Sequence, residues 1–72
     1  MTYAIIIERA DDGSSLAYVP DLPGCTSSAD TEAEVRESIR DAIRRHIQTL
    51  KALGREILRP GSIVDTVDVA VA

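Results

Sequence analysis

The feature that most constrains this chain is one long helical repeat. Val35, Ile39, Ala42, Ile43, His46, Ile47, Leu50 and Leu53 recur at three- and four-residue intervals, the spacing that sets apolar side chains along one stripe of an α-helix. Both ends are marked. Thr31 with Glu34 three positions later has the pattern of a capping box, in which the threonine hydroxyl accepts from the Glu34 amide while the carboxylate reaches back to the cap. Gly54 stands where a left-handed residue closes a last turn. A helix of roughly 22 residues rises about 33 Å, whereas a strand of five or six residues covers only about 20 Å. A lone helix cannot bury its own stripe, so the flanking segments are expected to supply a sheet. The C-terminal turns of the helix are expected to overhang that sheet or to pack on another subunit.

The flanks read as short strands. Thr2 to Arg9 is rich in β-branched residues, with Tyr3, Ile5 and Ile7 on one face and Ala4, Ile6 and Glu8 on the other. Asp11-Asp12-Gly13-Ser14-Ser15 is a turn cluster, after which Leu16-Ala17-Tyr18-Val19 should return antiparallel. Pro20, Asp21, Pro23, Gly24 and Cys25 form a second structural turn. Proline fixes φ and glycine accepts the left-handed conformation, so Pro23-Gly24 fits the middle of a type II turn. Cys25-Thr26-Ser27-Ser28 is a short, polar third strand. Beyond the helix, Arg59-Pro60-Gly61-Ser62 breaks the chain, and Val67, Val69 and Val71 then alternate with Asp68, Ala70 and Ala72 as a half-buried final strand. Ile63-Val64-Asp65 does not hold the same phase, which predicts a bulge or a later strand start. The order is β-β-β-α-β, an α+β fold with an antiparallel-rich sheet and one helix on one face, in a single domain over 1–72. The final strand must pair at a sheet edge or leave the sheet to pair with a neighbouring molecule.

Composition bounds the function. A chain of 72 residues buries only about 60% of the surface its unfolded form exposes, so a homo-oligomer, dimer or tetramer, is expected. With 12 acidic against 8 basic side chains the net charge is −4, which disfavours nonspecific attraction to nucleic acid or to anionic membranes. One cysteine cannot form an internal disulfide, and the N-terminal apolar run stops at Glu8. No signal peptide is read there, and a cytoplasmic location is expected.

Few residues invite chemistry. Cys25 has no identifiable acid–base partner and reads as a small buried apolar group. His46, the only imidazole, reads as an amphipathic side chain at the core boundary, since one thiolate and one imidazole do not make a usual zinc site. Asp11, Asp12, Asp21 and Asp30 admit a metal-dependent nuclease reading, in which carboxylates bind Mg²⁺ and activate water. Each lies where a turn or cap favours aspartate, and that reading is preferred. Glu32 to Arg36 and Asp41 to Arg45 are i,i+4 pairs with the acid first. Arg36, Arg40 and Arg44 repeat as a ridge for a partner, RNA or simply solvent, the last being preferred in an acidic chain. Tyr3 and Tyr18 are too few for a base-stacking platform. No cofactor, no metal site and no catalytic residue are expected.

The run Leu16-Ala-Tyr-Val-Pro-Asp-Leu-Pro-Gly-Cys25, followed by Asp30-Thr31 and by Ile39-Arg40-Asp41-Ala42-Ile43 within the helix, resembles the HicB antitoxin family. Pro20-Asp21-Leu22-Pro23-Gly24-Cys25 is the most characteristic stretch, and the likeness extends from Tyr3 through Pro60. It departs from the usual pattern at Ser14-Ser15, where glycines are common, and at Ser38, where asparagine is common. The resemblance implies a partial ribonuclease-H-like fold and a non-enzymatic antitoxin that binds and blocks HicA, a small mRNA endonuclease. Candidate toxin contacts are Glu8, Asp11, Asp12 and Asp21, since a toxin that grips RNA should present positive charge. Many relatives continue into an operator-binding segment, and the chain ends at Ala72, so direct DNA binding is not expected. The alternative is an orphan self-associating module of unknown ligand.

Overall fold

Hairpin turns and a capped helix place four elements in chain order. The computed structural model describes residues 1–71, which form β1 (Ile6–Arg9), β2 (Ser15–Tyr18), β3 (Thr26–Ala29) and α1 (Glu32–Ala52). The strands make one antiparallel meander in the order β1-β2-β3, with Ile6 opposite Tyr18 and Arg9 opposite Ser15, then Ser15 opposite Ala29 and Tyr18 opposite Thr26. The chain thus has an α+β fold, a three-stranded antiparallel sheet followed by one helix.

The first connection is a five-residue loop. The Gly13 amide donates to the Ala10 carbonyl at 3.0 Å and the Ala10 amide to the Ser14 carbonyl at 2.9 Å. Only Gly13 takes positive φ, at +88°, which is a type I turn over Asp11 and Asp12 followed by a glycine bulge. The ladder of β1 is shorter than Thr2 to Arg9. Its next partners beyond Tyr18 would be Val19 and Pro20, but the Val19 amide faces the β3 side, where it donates to the Cys25 carbonyl at 3.2 Å, and Pro20, the next position to face β1, has no amide to offer.

That second loop is two consecutive turns. The Leu22 amide donates to the Val19 carbonyl and the Cys25 amide to the Leu22 carbonyl, each at 3.1 Å, while Gly24 has φ +82°, as the third position of a type II turn requires. Leu22 sits at the junction and is 1% exposed. The sequence patterning treats this stretch only as a turn, so the burial of Leu22 is new. It joins Ala17, Val19, Cys25, Val35 and Ile39 in the core, with Tyr3, Ile5, Ile7, Ala29, Ala42 and Ile43 packed around them. Tyr3, Ile5 and Ile7 therefore do share the inward face.

The helix begins as expected but with a variant of the expected cap. Thr31 Oγ1 accepts from the Glu34 amide at 3.1 Å and donates to Glu34 Oε1 at 2.9 Å, so the carboxylate meets the hydroxyl rather than the cap amide. At the far end the Arg55 amide reaches the Leu50 carbonyl at 2.8 Å and the Gly54 amide reaches Lys51 at 3.1 Å, the paired bonds of a Schellman closure. The helix crosses β3 and β2, and the Ser27 and Ser38 hydroxyls hydrogen-bond between β3 and α1. Burial fades along its stripe. Val35 and Ile39 are fully enclosed, Ile43, Ile47 and Leu50 are half-buried, and Leu53 is 62% exposed. The last turns overhang the sheet, as the mismatch of lengths requires.

The final strand is not formed. Residues 55–71 hold no strand among the described residues, and Val67, Val69 and Val71 are 82%, 74% and 91% exposed. Ala72, the last residue of the expected strand, lies outside the described residues. Alternation alone does not make a strand, because a ladder needs a partner edge. After the helix the chain is held against the loop of Asp21 and then leaves the sheet as an extended arm. The radius of gyration of 14.3 Å exceeds the value of about 11 Å expected for a compact chain of this length.

Candidate functional site

The four acids proposed as toxin contacts do not form one patch. β2 runs from Ser15 to Tyr18, so the loop with Asp11 and Asp12 lies at one end of the sheet and Asp21 at the other. Glu8, Asp11 and Asp12 are exposed at the first end, with Glu8 opposite Leu16 across the ladder. Asp12 Oδ1 accepts from the Ser14 hydroxyl at 2.6 Å and from the Ser14 amide at 2.9 Å. These bonds, the hydroxyl first, hold the Asp12 carboxyl below its ordinary value and keep it ionised.

Asp21 has a different task. Its Oδ2 accepts from the Ser62 amide at 3.0 Å and the Gly61 amide at 3.1 Å, and its Oδ1 accepts from the Ser62 hydroxyl at 3.0 Å. Nearby, the Tyr3 hydroxyl donates to the Leu58 carbonyl at 2.7 Å. Together they strap the segment after the helix to the sheet. The backbone amides of Ser62 and Gly61 pull the Asp21 pKa below the ordinary 3.8. The folded carboxyl is thus the stronger acid, and its contribution to the strap is complete above about pH 4 and is lost as pH falls through the lower folded value. We expect the Gly61 and Ser62 amides to lose hydrogen-exchange protection on acidification through that range, and Asp21→Asn to weaken the same protection at neutral pH. Unchanged protection in Asp21→Asn would show that the strap is held by other groups.

Cys25 and His46 line one open cleft of ≈ 290 Å³ with Gly24, Thr26, Arg45 and Thr49. Burial pushes the Cys25 thiol up from its ordinary value, so it stays protonated and is a poor nucleophile. Among the described residues no group of three or more His, Cys, Asp and Glu is arranged to hold a metal ion. Asp30 is exposed ahead of the helix cap. Arg36 pairs with Glu32 at 3.0 Å as expected, but Asp41 meets Arg44 at 3.7 Å rather than Arg45. Two of the three arginines in the helical ridge therefore face acids.

A further surface is apolar. Ile6, Leu16 and Tyr18 are exposed on the outer face of the sheet, and Ile6 stands opposite Tyr18. The signal lies in β2, where alternation turns the small Ala17 inward and its two large neighbours outward.

A three-stranded meander under one helix, with an acidic loop at one end, an apolar outer face and an exposed arm, defines a small α+β domain organised around surfaces. Residues 3–70 match the family described as HicB-like antitoxin of bacterial toxin-antitoxin system, and the chain belongs to that family. It is 39% identical over 59 residues to a UPF0150 protein of Thermoplasma acidophilum, covering 82% of this chain and 86% of that one. It is 32% identical over 69 residues to a UPF0150 protein of Synechocystis, covering 96% and 87%, and 37% identical over 51 residues to one from Archaeoglobus fulgidus, covering 71% and 74%. Family membership supports an antitoxin role, and with it a toxin as partner and a regulatory task. Among the described residues no helix is long and apolar enough to cross a membrane.

Proposed function

We propose that this chain binds a HicA-like mRNA endonuclease and blocks its RNA cleavage, acting in the cytoplasm as a self-associated, non-catalytic HicB-like antitoxin with a partial ribonuclease-H-like fold. The observation that carries the reading is the family match over 3–70, which takes in the sheet, the helix and most of the arm. The contact surface in this reading is acidic. Glu8, Asp11 and Asp12 project from one end of the sheet, and an RNA-gripping enzyme offers the opposite charge. Asp21, at the other end of the sheet and already accepting from Gly61 and Ser62, lies outside that surface.

The test is titration of the purified chain into an RNA cleavage assay with the cognate toxin. Cleavage is expected to fall to background near stoichiometry, and undiminished cleavage at saturating folded chain rejects the reading. A Glu8→Gln, Asp11→Asn, Asp12→Asn variant should associate about tenfold more slowly at low salt and with a flatter salt dependence, while its folding is unchanged. Metal-dependent RNA cleavage by the chain alone, abolished by Asp11→Asn, would instead favour a nuclease.

A further inference from the structure

The arm and the free edge of the sheet are complementary. Among the described residues β1 pairs only with β2, so its outer row of amides and carbonyls has no strand partner there, an arrangement that invites another strand. The helix lies over β3 and β2, which leaves Ile5 and Ile7, on the inner side beside β1, only half-covered. The opposite edge is less receptive, since β3 is the polar run Thr26–Ala29 and its inner face is already under the helix.

The arm carries what that edge lacks. Among the described residues none of the backbone groups of 63–71 bonds to a strand, and Ile63, Val64, Val67, Val69 and Val71 all stand open to solvent. The straps at Leu58 and Ser62 fix where the arm departs. The molecule's longest dimension is 51 Å, against about 32 Å for a 21-residue helix, so the arm projects well away from its own sheet. Nine extended residues span about 30 Å, ample for one strand edge. The accessible surface is 5721 Å², whereas a compact monomer of this mass exposes about 4,400 Å². The excess, on the order of 1,300 Å², is more than the roughly 800 Å² that each partner buries in a stable interface.

We propose that residues 66–71 add as a strand to the free β1 edge of a second copy, with 63–65 as the link that crosses to it and leaves Asp65 in water, and that the exchange is reciprocal across a two-fold axis. Val67, Val69 and Val71 take the inner side and complete the cover over Ile5 and Ile7. Asp68 takes the outer side, which is open to water, because an unpaired carboxylate on the inner side would lose its hydration. A two-fold exchange satisfies both free edges at once and leaves no edge to propagate. The assignment rests on the self-association proposed above and is independent of the toxin.

Sedimentation of the full chain tests it. The wild type is expected at twice the 7.8 kDa chain mass. A Val67→Lys, Val69→Lys variant should sediment at the single chain mass with its helical circular dichroism intact, and Asp68→Lys should stay dimeric. A monomeric wild type overturns self-association itself. A dimer that survives the double lysine change overturns only the arm assignment, and so does a monomeric Asp68→Lys. In a Cys25→Ala background, a Glu8→Cys copy mixed with an Asp68→Cys copy should cross-link through a short bis-maleimide, and neither copy alone should. Absence of the mixed product, or its replacement by an intramolecular link when both cysteines share one chain, places the arm on its own sheet or elsewhere and overturns the exchange.

Discussion

Replacing Leu22 with alanine is expected to destabilise the chain by about 2–5 kcal/mol, the range for deleting a large aliphatic side chain from a closed core. Leu22 is 1% exposed and belongs to one cluster with Val19, Cys25, Val35 and Ile39. It sits where two turns meet, each closed by a hydrogen bond from or to its own backbone, so the loop has little freedom to collapse into the space left behind. At 0.05–0.15 kcal/mol per residue a 72-residue chain has only about 4–11 kcal/mol to lose. A large part of the folded population should therefore disappear. Leu16→Ala is the matched comparison, since Leu16 is 42% exposed on the outer face and its loss should change stability by only about 0.5 kcal/mol. Urea titrations followed by circular dichroism check both. Equal midpoints for the two variants would mean that Leu22 does not anchor the core.

Gly24→Val is expected to cost about 1–3 kcal/mol through the backbone alone. A Cβ placed on Gly24 meets nothing within 4 Å, yet φ is +82°, a region that β-branched residues avoid. The penalty therefore reports conformation rather than a clash. Asparagine tolerates left-handed φ better than valine, so Gly24→Asn should recover part of the loss. Gly61→Ala separates the two effects, because that glycine has no positive φ and an added Cβ would lie at an ordinary 3.9 Å from Asp21 Oδ1. Its melting temperature should match the wild type. A Gly24→Val protein that melts no earlier than Gly61→Ala would show that the second loop tolerates another turn geometry.

Much of the site was legible locally, and its arrangement was not. The acidic loop, the Pro23-Gly24 turn and the burial of Cys25 each follow from residues within a few positions of one another. The separation of Asp21 from Asp11 and Asp12 does not, because it depends on the direction in which β2 runs. The capture of Asp21 by Gly61 and Ser62 depends on residues 40 and 41 positions away, beyond any local pattern. The exposed Ile6, Leu16 and Tyr18 belong to the same class. Alternation places them on one face, but only the position of the helix tells which face is the outer one.

By itself the sequence determined the hairpins, the cap at Thr31, the apolar stripe of the helix and the turn at Gly54, since those rest on φ preferences, amide partners and 3.6-residue periodicity acting over a few residues. It also determined that the helix must outrun the sheet, which is a matter of rise per residue. Only the tertiary structure decided that Leu22 closes the core, that Asp21 holds the strap and that Val67, Val69 and Val71 find no ladder among the described residues of their own chain. The physical reason is that a strand or a buried side chain is defined by its partner, and partners distant along the chain are chosen by the packing of the whole.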